Sequence, residues 1–194
     1  MLEVQHLVKR YGSKTAVEDL TFTIQDTGVY GLLGPNGAGK STTMNIVTGY
    51  ISATSGTVLV QGQDIVAQAA AAKRCIGYLP EQPPVYPDMT VEEYLRFAAE
   101  LKGVRPKTAR CEAVQTVCDC VGLQGTGRRL IGNLSKGYRQ RVGIAAALLG
   151  EPKIIILDEP TVGLDPAQVL EVRSLIRELG KTHTVILSSH ILSE

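Results

Sequence analysis

Gly-Pro-Asn-Gly-Ala-Gly-Lys-Ser, residues 34–41, is the stretch whose reading decides the fold. An apolar run at 29–33 precedes it and reads as a buried strand, while residues 42–48 read as the first turns of a helix. Between those two elements Gly34, Gly37 and Gly39 let the backbone turn tightly and aim N–H groups inward. The helix presents its positive end to the same point. A polyphosphate is the expected occupant. Lys40 reaches its outer phosphates, and the Ser41 hydroxyl holds a magnesium ion bridging them. A glycine-rich turn without a ligand is the competing reading, and it leaves the flanking strand, the helix and the Lys-Ser pair unexplained.

With 194 residues and 44% hydrophobic content the chain can bury a substantial core. Its formal net charge of +1 comes from mixed signs without a basic stripe, so no nucleic-acid partner is expected. No apolar run approaches the ~20 residues of a bilayer span. The amino terminus, Met1-Leu2-Glu3-Val4, lacks a secretion signal, and a soluble cytoplasmic chain is the expectation. Cys75, Cys111, Cys118 and Cys120 have no metal-ligand spacing and read as small apolar residues in a reducing compartment.

Outward from the loop, Leu2, Val4, His6 and Val8 alternate with polar residues, and Val17, Leu20, Phe22 and Ile24 nearly do after a turn at Gly12-Ser13. Antiparallel strands are the reading. Tyr11, at the end of the first, is placed either to stack on a base beside the loop or to pack at a hairpin end. Residues 57–60 and 76–79 read as short strands, with an alanine-rich helix within 65–74. The proline-rich residues 80–88 can form neither a helix interior nor a central strand and read as a linker.

Thr90 and Glu93 make a capping box, followed at helical spacing by Val91, Tyr94, Leu95, Ala98 and Leu101 as an inner face. A second helix follows Pro106, burying Ala113, Val114, Val117 and Val121. Ser135 caps a third helix, with Val142, Ala145, Ala146 and Leu149 turned inward. The uninterrupted Ile-Ile-Ile-Leu run at 154–157 is expected of a parallel strand buried on both faces, and it ends in Asp158-Glu159. Ligands collect at that end of a strand, so both acids should lie near the phosphate loop. Asp165 caps a further helix with Pro166 first, Gly180 closes it, and His190 follows a last strand at 184–187.

Leu134-Ser135-Lys136-Gly137-Tyr138 lies between the phosphate loop and the Ile-Ile-Ile-Leu-Asp-Glu-Pro strand, and it resembles the signature motif of ATP-binding cassette (ABC) ATPases. Gly163-Leu164-Asp165-Pro166 and His190 complete that family's order. The resemblance covers the whole chain and is nearest to nucleotide-binding subunits of bacterial exporters of the gliding-motility and multidrug type. It implies a P-loop NTPase fold of the α/β class, with a mainly parallel sheet, an N-terminal antiparallel β part and a helical lobe. The implied organisation is a single ATPase domain, 1–194, with a nucleotide-binding core at 1–87 and 151–194 and a helical subdomain at 88–150. Because members of the family continue past the position of His190, a partial domain with an uncovered sheet edge or apolar face is expected.

ATP and Mg²⁺ are the implied ligands, contacted by Tyr11, Gly34, Pro35, Asn36, Gly37, Ala38, Gly39, Lys40, Ser41 and Thr42. Asp158 would hold the magnesium through water, Glu159 would act as general base, and His190 would touch the γ-phosphate. Ser135 and Gly137, at a helix N-terminus, would complete the site of a second, identical ABC subunit, with Asp165 along the seam. Two departures stand out. Lys136-Gly137-Tyr138 replaces the usual Gly-Gly-Gln, with Lys136 either contacting phosphate or solvated. The magnesium-sensing glutamine falls by register on Glu81, with Gln82 as the alternative. The implied activity is ATP hydrolysis powering export through a separate integral membrane permease, on the inner face of the plasma membrane. A soluble cassette acting on ribosomes or DNA, or a non-transport regulatory cassette, is the rival.

Overall fold

Residues 1–190 are described by a computed structural model, and two four-stranded sheets organise them. Strands β1 (Leu2–Tyr11), β2 (Lys14–Ile24) and β3 (Gly28–Leu33) lead into helix α1 (Lys40–Val47). Then come β4 (Ser55–Val60), β5 (Gln63–Asp64), α2 (Ala69–Arg74) and β6 (Ile76–Leu79). Helices α3 (Val91–Leu101), α4 (Lys107–Cys120) and α5 (Lys136–Leu148) form the lobe, and β7 (Ile154–Leu157), α6 (Pro166–Gly180) and β8 (Thr184–Ser189) close the order. One sheet, ordered β2-β1-β4-β5, is antiparallel; the other, ordered β3-β8-β7-β6, is parallel.

The β7 run explains why the chain folds around it. Ile154 and Ile156 join the core between the two sheets, whereas Ile155 and Leu157 join the core under the helices. Both faces of β7 are therefore buried, as its unbroken apolar sequence requires. Helix α5 lies directly on neighbouring β6. A Cβ added at Gly77 would sit 2.2 Å from the Ala147 carbonyl oxygen, so only glycine admits the helix at that distance.

Three expectations are corrected. The 29–33 run is not buried on both faces: among the described residues β3 forms the sheet edge, pairing only with β8, and Val29 and Leu33 are 44% and 48% exposed. In β1, His6 does not share the inner face with Leu2 and Val4. The register slips between Val4 and Leu7, with His6 at φ 50° and its neighbour across the hairpin, Asp19, at φ 45°. This bulge turns Leu7 inward and leaves His6 outside, its Nδ1 2.7 Å from Asp19 Oδ1. In α3 the capping box forms as expected, but Leu101 is exposed, and Val91, Tyr94, Leu95 and Ala99 make the inner face. The face then continues at Lys102, whose stem points inward where Leu101 was expected.

Candidate functional site

The 34–41 loop joins β3 to α1 at the carboxyl end of the parallel sheet. Gly39 caps α1 in the left-handed region at φ 89°, and a Cβ there would strike the Ala16 carbonyl oxygen of β2 at 2.3 Å. Glycine is therefore required both for the turn and for the approach of the hairpin. Behind the loop Lys40 is 8% exposed; its Nζ donates to the Gly34 carbonyl at 2.7 Å and the Pro35 carbonyl at 3.3 Å. Glu159 Oε1 lies 3.5 Å from the same ammonium.

The acids stand where β7 ends. Ser41 Oγ donates to Asp158 Oδ1 at 3.2 Å, and Ser188 Oγ donates to that oxygen at 2.6 Å. Ser188 in turn accepts from the Glu159 backbone N–H at 2.8 Å. This serine, at the end of β8 and outside the phosphate loop, the signature and the acid pair, locks the two acids to the neighbouring strand. Its only trace in the sequence is the Ser188-Ser189 pair closing an apolar strand. Glu159 sits at φ 47°, a conformation that non-glycine residues adopt at a cost of order 1–3 kcal/mol. That backbone turn separates the two neighbouring carboxylates, and Glu159 Oε2 meets His190 Nδ1 at 2.8 Å. The Glu159 carboxylate is thus held between Lys40 and His190.

These groups open onto a cavity of about 470 Å³ whose wall includes Tyr11, Asn36, Lys40, Ser41, Glu159 and His190. Gly37, Gly39 and Thr42 also line it, as does Glu81, whereas Gln82 does not. Tyr11 stands at the rim, 52% exposed, with Lys9 Nζ 5.0 Å from its ring centroid. Gly34, Pro35 and Ala38 shape the loop without facing the cavity, and Ala38 N–H donates to the Pro35 carbonyl at 3.2 Å.

Ser135, Gly137 and Asp165 are not part of that wall. Ser135 caps α5, accepting from Tyr138 N–H at 3.4 Å, and Asp165 caps α6 by accepting from Gln168 N–H at 2.9 Å. The two helix starts adjoin, since a Cβ on Gly137 would sit 2.6 Å from Gln168 Oε1. Lys136 folds over the loop before α6, its Nζ 2.1 Å from where a Gly163 Cβ would be.

A strand, a glycine-rich loop and a helix, with two strand-end acids beside the loop's lysine, define a P-loop nucleotide-binding domain. A profile of the family described as ABC transporter matches residues 17–162, and the chain belongs to that family. The bacitracin transport ATP-binding protein BcrA of Bacillus licheniformis is 40% identical over 196 residues, covering 100% of this chain and 63% of BcrA. The chain thus spans less than two thirds of that relative. The lantibiotic transport ATP-binding protein SrtF of Streptococcus pyogenes is 38% identical, covering 100% of this chain and 82% of SrtF. Among solved structures, dimeric MJ0796, a bacterial ABC transporter cassette, has a TM-score of 0.87 at 25% identity, over 100% of this chain and 89% of that one. No helix among the described residues is long and apolar enough to cross a membrane.

Proposed function

We propose that this chain is the ATP-binding and hydrolysing subunit of an exporter and drives a separate membrane permease from the cytoplasmic face. The observation that carries this reading is the meeting of Lys40, Ser41, Glu159 and His190 at one cavity, with Asp158 hydrogen-bonded to Ser41 behind its wall. The phosphates of ATP would lie against the 34–39 turn and the positive end of α1, drawing Lys40 from the Gly34 carbonyl. Tyr11 would offer its ring to the base.

Ser41 and Asp158 supply hard oxygen donors 3.2 Å apart, which fit a magnesium ion that keeps most of its own water; Glu81, on the same wall, would be the further oxygen. The ion's contribution is to neutralise charge on the phosphates. Glu159, fixed on one side by Lys40 and on the other by His190, would take the proton of the attacking water. His190 would steady that carboxylate and meet the γ-phosphate.

Residues 1–87 and 151–194 would act as the core of one ATPase unit, and 88–150 as the lobe bearing the signature. Ser135 and Gly137 would close over the nucleotide of a second copy, with Asp165 at the seam. The known dimer of a similar cassette supports this arrangement. Tyr86, Phe97 and Leu101, exposed beside the 80–88 loop, offer the permease an apolar face.

Purification of the full-length protein from membranes tests the proposal. Recovery with a polytopic membrane protein and magnesium-dependent ATP hydrolysis is expected. Recovery with ribosomes or DNA instead would overturn it.

A further inference from the structure

Two side-chain hydrogen bonds tie α1 to the parallel sheet and its carboxyl end among the described residues. At the start of the helix Ser41 Oγ donates to Asp158 Oδ1 at 3.2 Å, and one turn further on Asn45 Oδ1 accepts from the Tyr78 hydroxyl of β6 at 3.0 Å. Residues four apart share one face of a helix, so both bonds leave α1 on the same side. Their far ends are joined as well. Asp158 N–H donates at 2.9 Å to the carbonyl of Leu79, the residue next to Tyr78. Ser41, Asp158, Leu79, Tyr78 and Asn45 therefore make one closed chain of bonds between helix and sheet.

The two bonds are unequal. Ser188 Oγ holds Asp158 Oδ1 closely at 2.6 Å, whereas the bond from Ser41 to that oxygen is longer than the roughly 2.5–3.0 Å of an ordinary O–H···O contact. Asp158 thus belongs to the sheet, and the place of Ser41 is set by α1. Met44, Ile46 and Val47 bury the helix in the core, but apolar packing is non-directional and selects no single height of the helix on the sheet. A directional contact one turn from Ser41 does. Tyr78 supplies it. Burial, and then the charge of Asp158, push the Tyr78 hydroxyl up to about 12, so the group stays protonated and a donor. Tyr78 lines a cleft of about 510 Å³ between sheet and lobe, beside Lys102, and is not part of the wall of the cavity that Ser41 faces. It reaches the candidate site through α1 and β6.

We propose that Tyr78 is a positioning residue for the metal-binding pair: through Asn45 its hydroxyl fixes the height of α1 on the sheet, and with it the span from Ser41 to Asp158. This rests on the reading of ATP and magnesium as the ligands of the site. Magnesium demands near-ideal octahedral geometry, so a small displacement of Ser41 weakens its hold on the ion. Phosphates are gripped differently, by the backbone of the 34–39 turn and by Lys40, neither of which depends on the Tyr78 hydroxyl. Loss of that hydroxyl should therefore be felt by the metal and not by the nucleotide alone.

The test is a binding titration of the full-length protein with a fluorescent ATP analogue, first in EDTA and then at fixed nucleotide with increasing Mg²⁺. Tyr78→Phe keeps the ring and its packing and removes the hydroxyl. Its affinity in EDTA should stay within about twofold of the wild type, while the Mg²⁺ midpoint rises about three- to tenfold, the scale of one hydrogen bond. Asn45→Ala should raise the midpoint by a similar factor, and the double variant should add nothing further, because either change opens the same contact. A Mg²⁺ midpoint unmoved in both single variants overturns the proposal. So does an equal loss of affinity in EDTA, which marks a general loosening of the fold, and so do single shifts that multiply in the double variant. If the wild type binds no nucleotide, or gains nothing from Mg²⁺, the ATP and magnesium reading itself falls.

Discussion

Two lysines are drawn into two cavities of similar size, and their circumstances are opposite. Lys40, at the cavity beside the phosphate loop, has Glu159 Oε1 at 3.5 Å and two loop carbonyls. Lys102, in the cleft between sheet and lobe, has one carbonyl and, among the described residues, no acid. In the first region the chain supplies its own counter-charge, so the site can hold its geometry before a ligand arrives. In the second, burial without a counter-charge pulls the amine down to about 8. A chemical site is thus built by converging elements, here β3, β7, β8 and α1, which bring the partners of a buried charge to one point.

The comparison breaks most sharply at Glu159. Glu159→Gln removes the carboxylate proposed to accept the proton and keeps a side chain of the same shape, so turnover should fall by about 10²–10⁴-fold while ATP still binds. Phosphate release at the wild-type rate would dismiss this carboxylate as the base. Lys40→Ala takes away the cation that the phosphates are expected to meet, and ATP affinity should drop roughly tenfold to a hundredfold. An unaltered titration curve would show that the loop backbone alone holds the nucleotide.

The smallest expected effect is a pH dependence at Lys102. Its folded-state value near 8 lies below the ordinary 10.5. Below pH 8 the folded protein carries the full cost of the buried charge. Between 8 and 10.5 the unfolded chain binds a proton that the folded one has shed, so stability rises with pH across that window. From pH 7 to pH 9 the wild type should therefore gain about 1 kcal/mol relative to Lys102→Met. Chemical denaturation midpoints at the two pH values measure the gap, and parallel behaviour of the two proteins would mean that the amine is well solvated.

Much of the candidate site was legible because its parts are short and contiguous. The 34–41 loop carries its own turn chemistry, and the Ile-Ile-Ile-Leu run announces a doubly covered strand that ends in two acids. The capping box at Thr90 and Glu93 and the caps at Ser135 and Asp165 are likewise local hydrogen bonds written in adjacent residues. Ser188 escaped notice because its role depends on β8 lying beside β7, a pairing between residues about thirty positions apart. The inner faces of β1 and α3 differ from their sequence pattern for a related reason. One bulge at His6 inverts a strand's alternation, and a small drift around a helix exchanges Leu101 for Lys102.

By itself, then, the sequence determined the elements whose signals lie within a few residues: the phosphate loop, the acid pair, the helix caps and the succession of strands and helices. Only the tertiary structure decided which strand is an edge, which serine ties the acids, and where the Lys102 amine is buried. Local hydrogen bonding and steric preference act over a turn or two of chain. Strand order, burial and electrostatic pairing belong to segments far apart in sequence, and become definite only when the sheets and the lobe pack together.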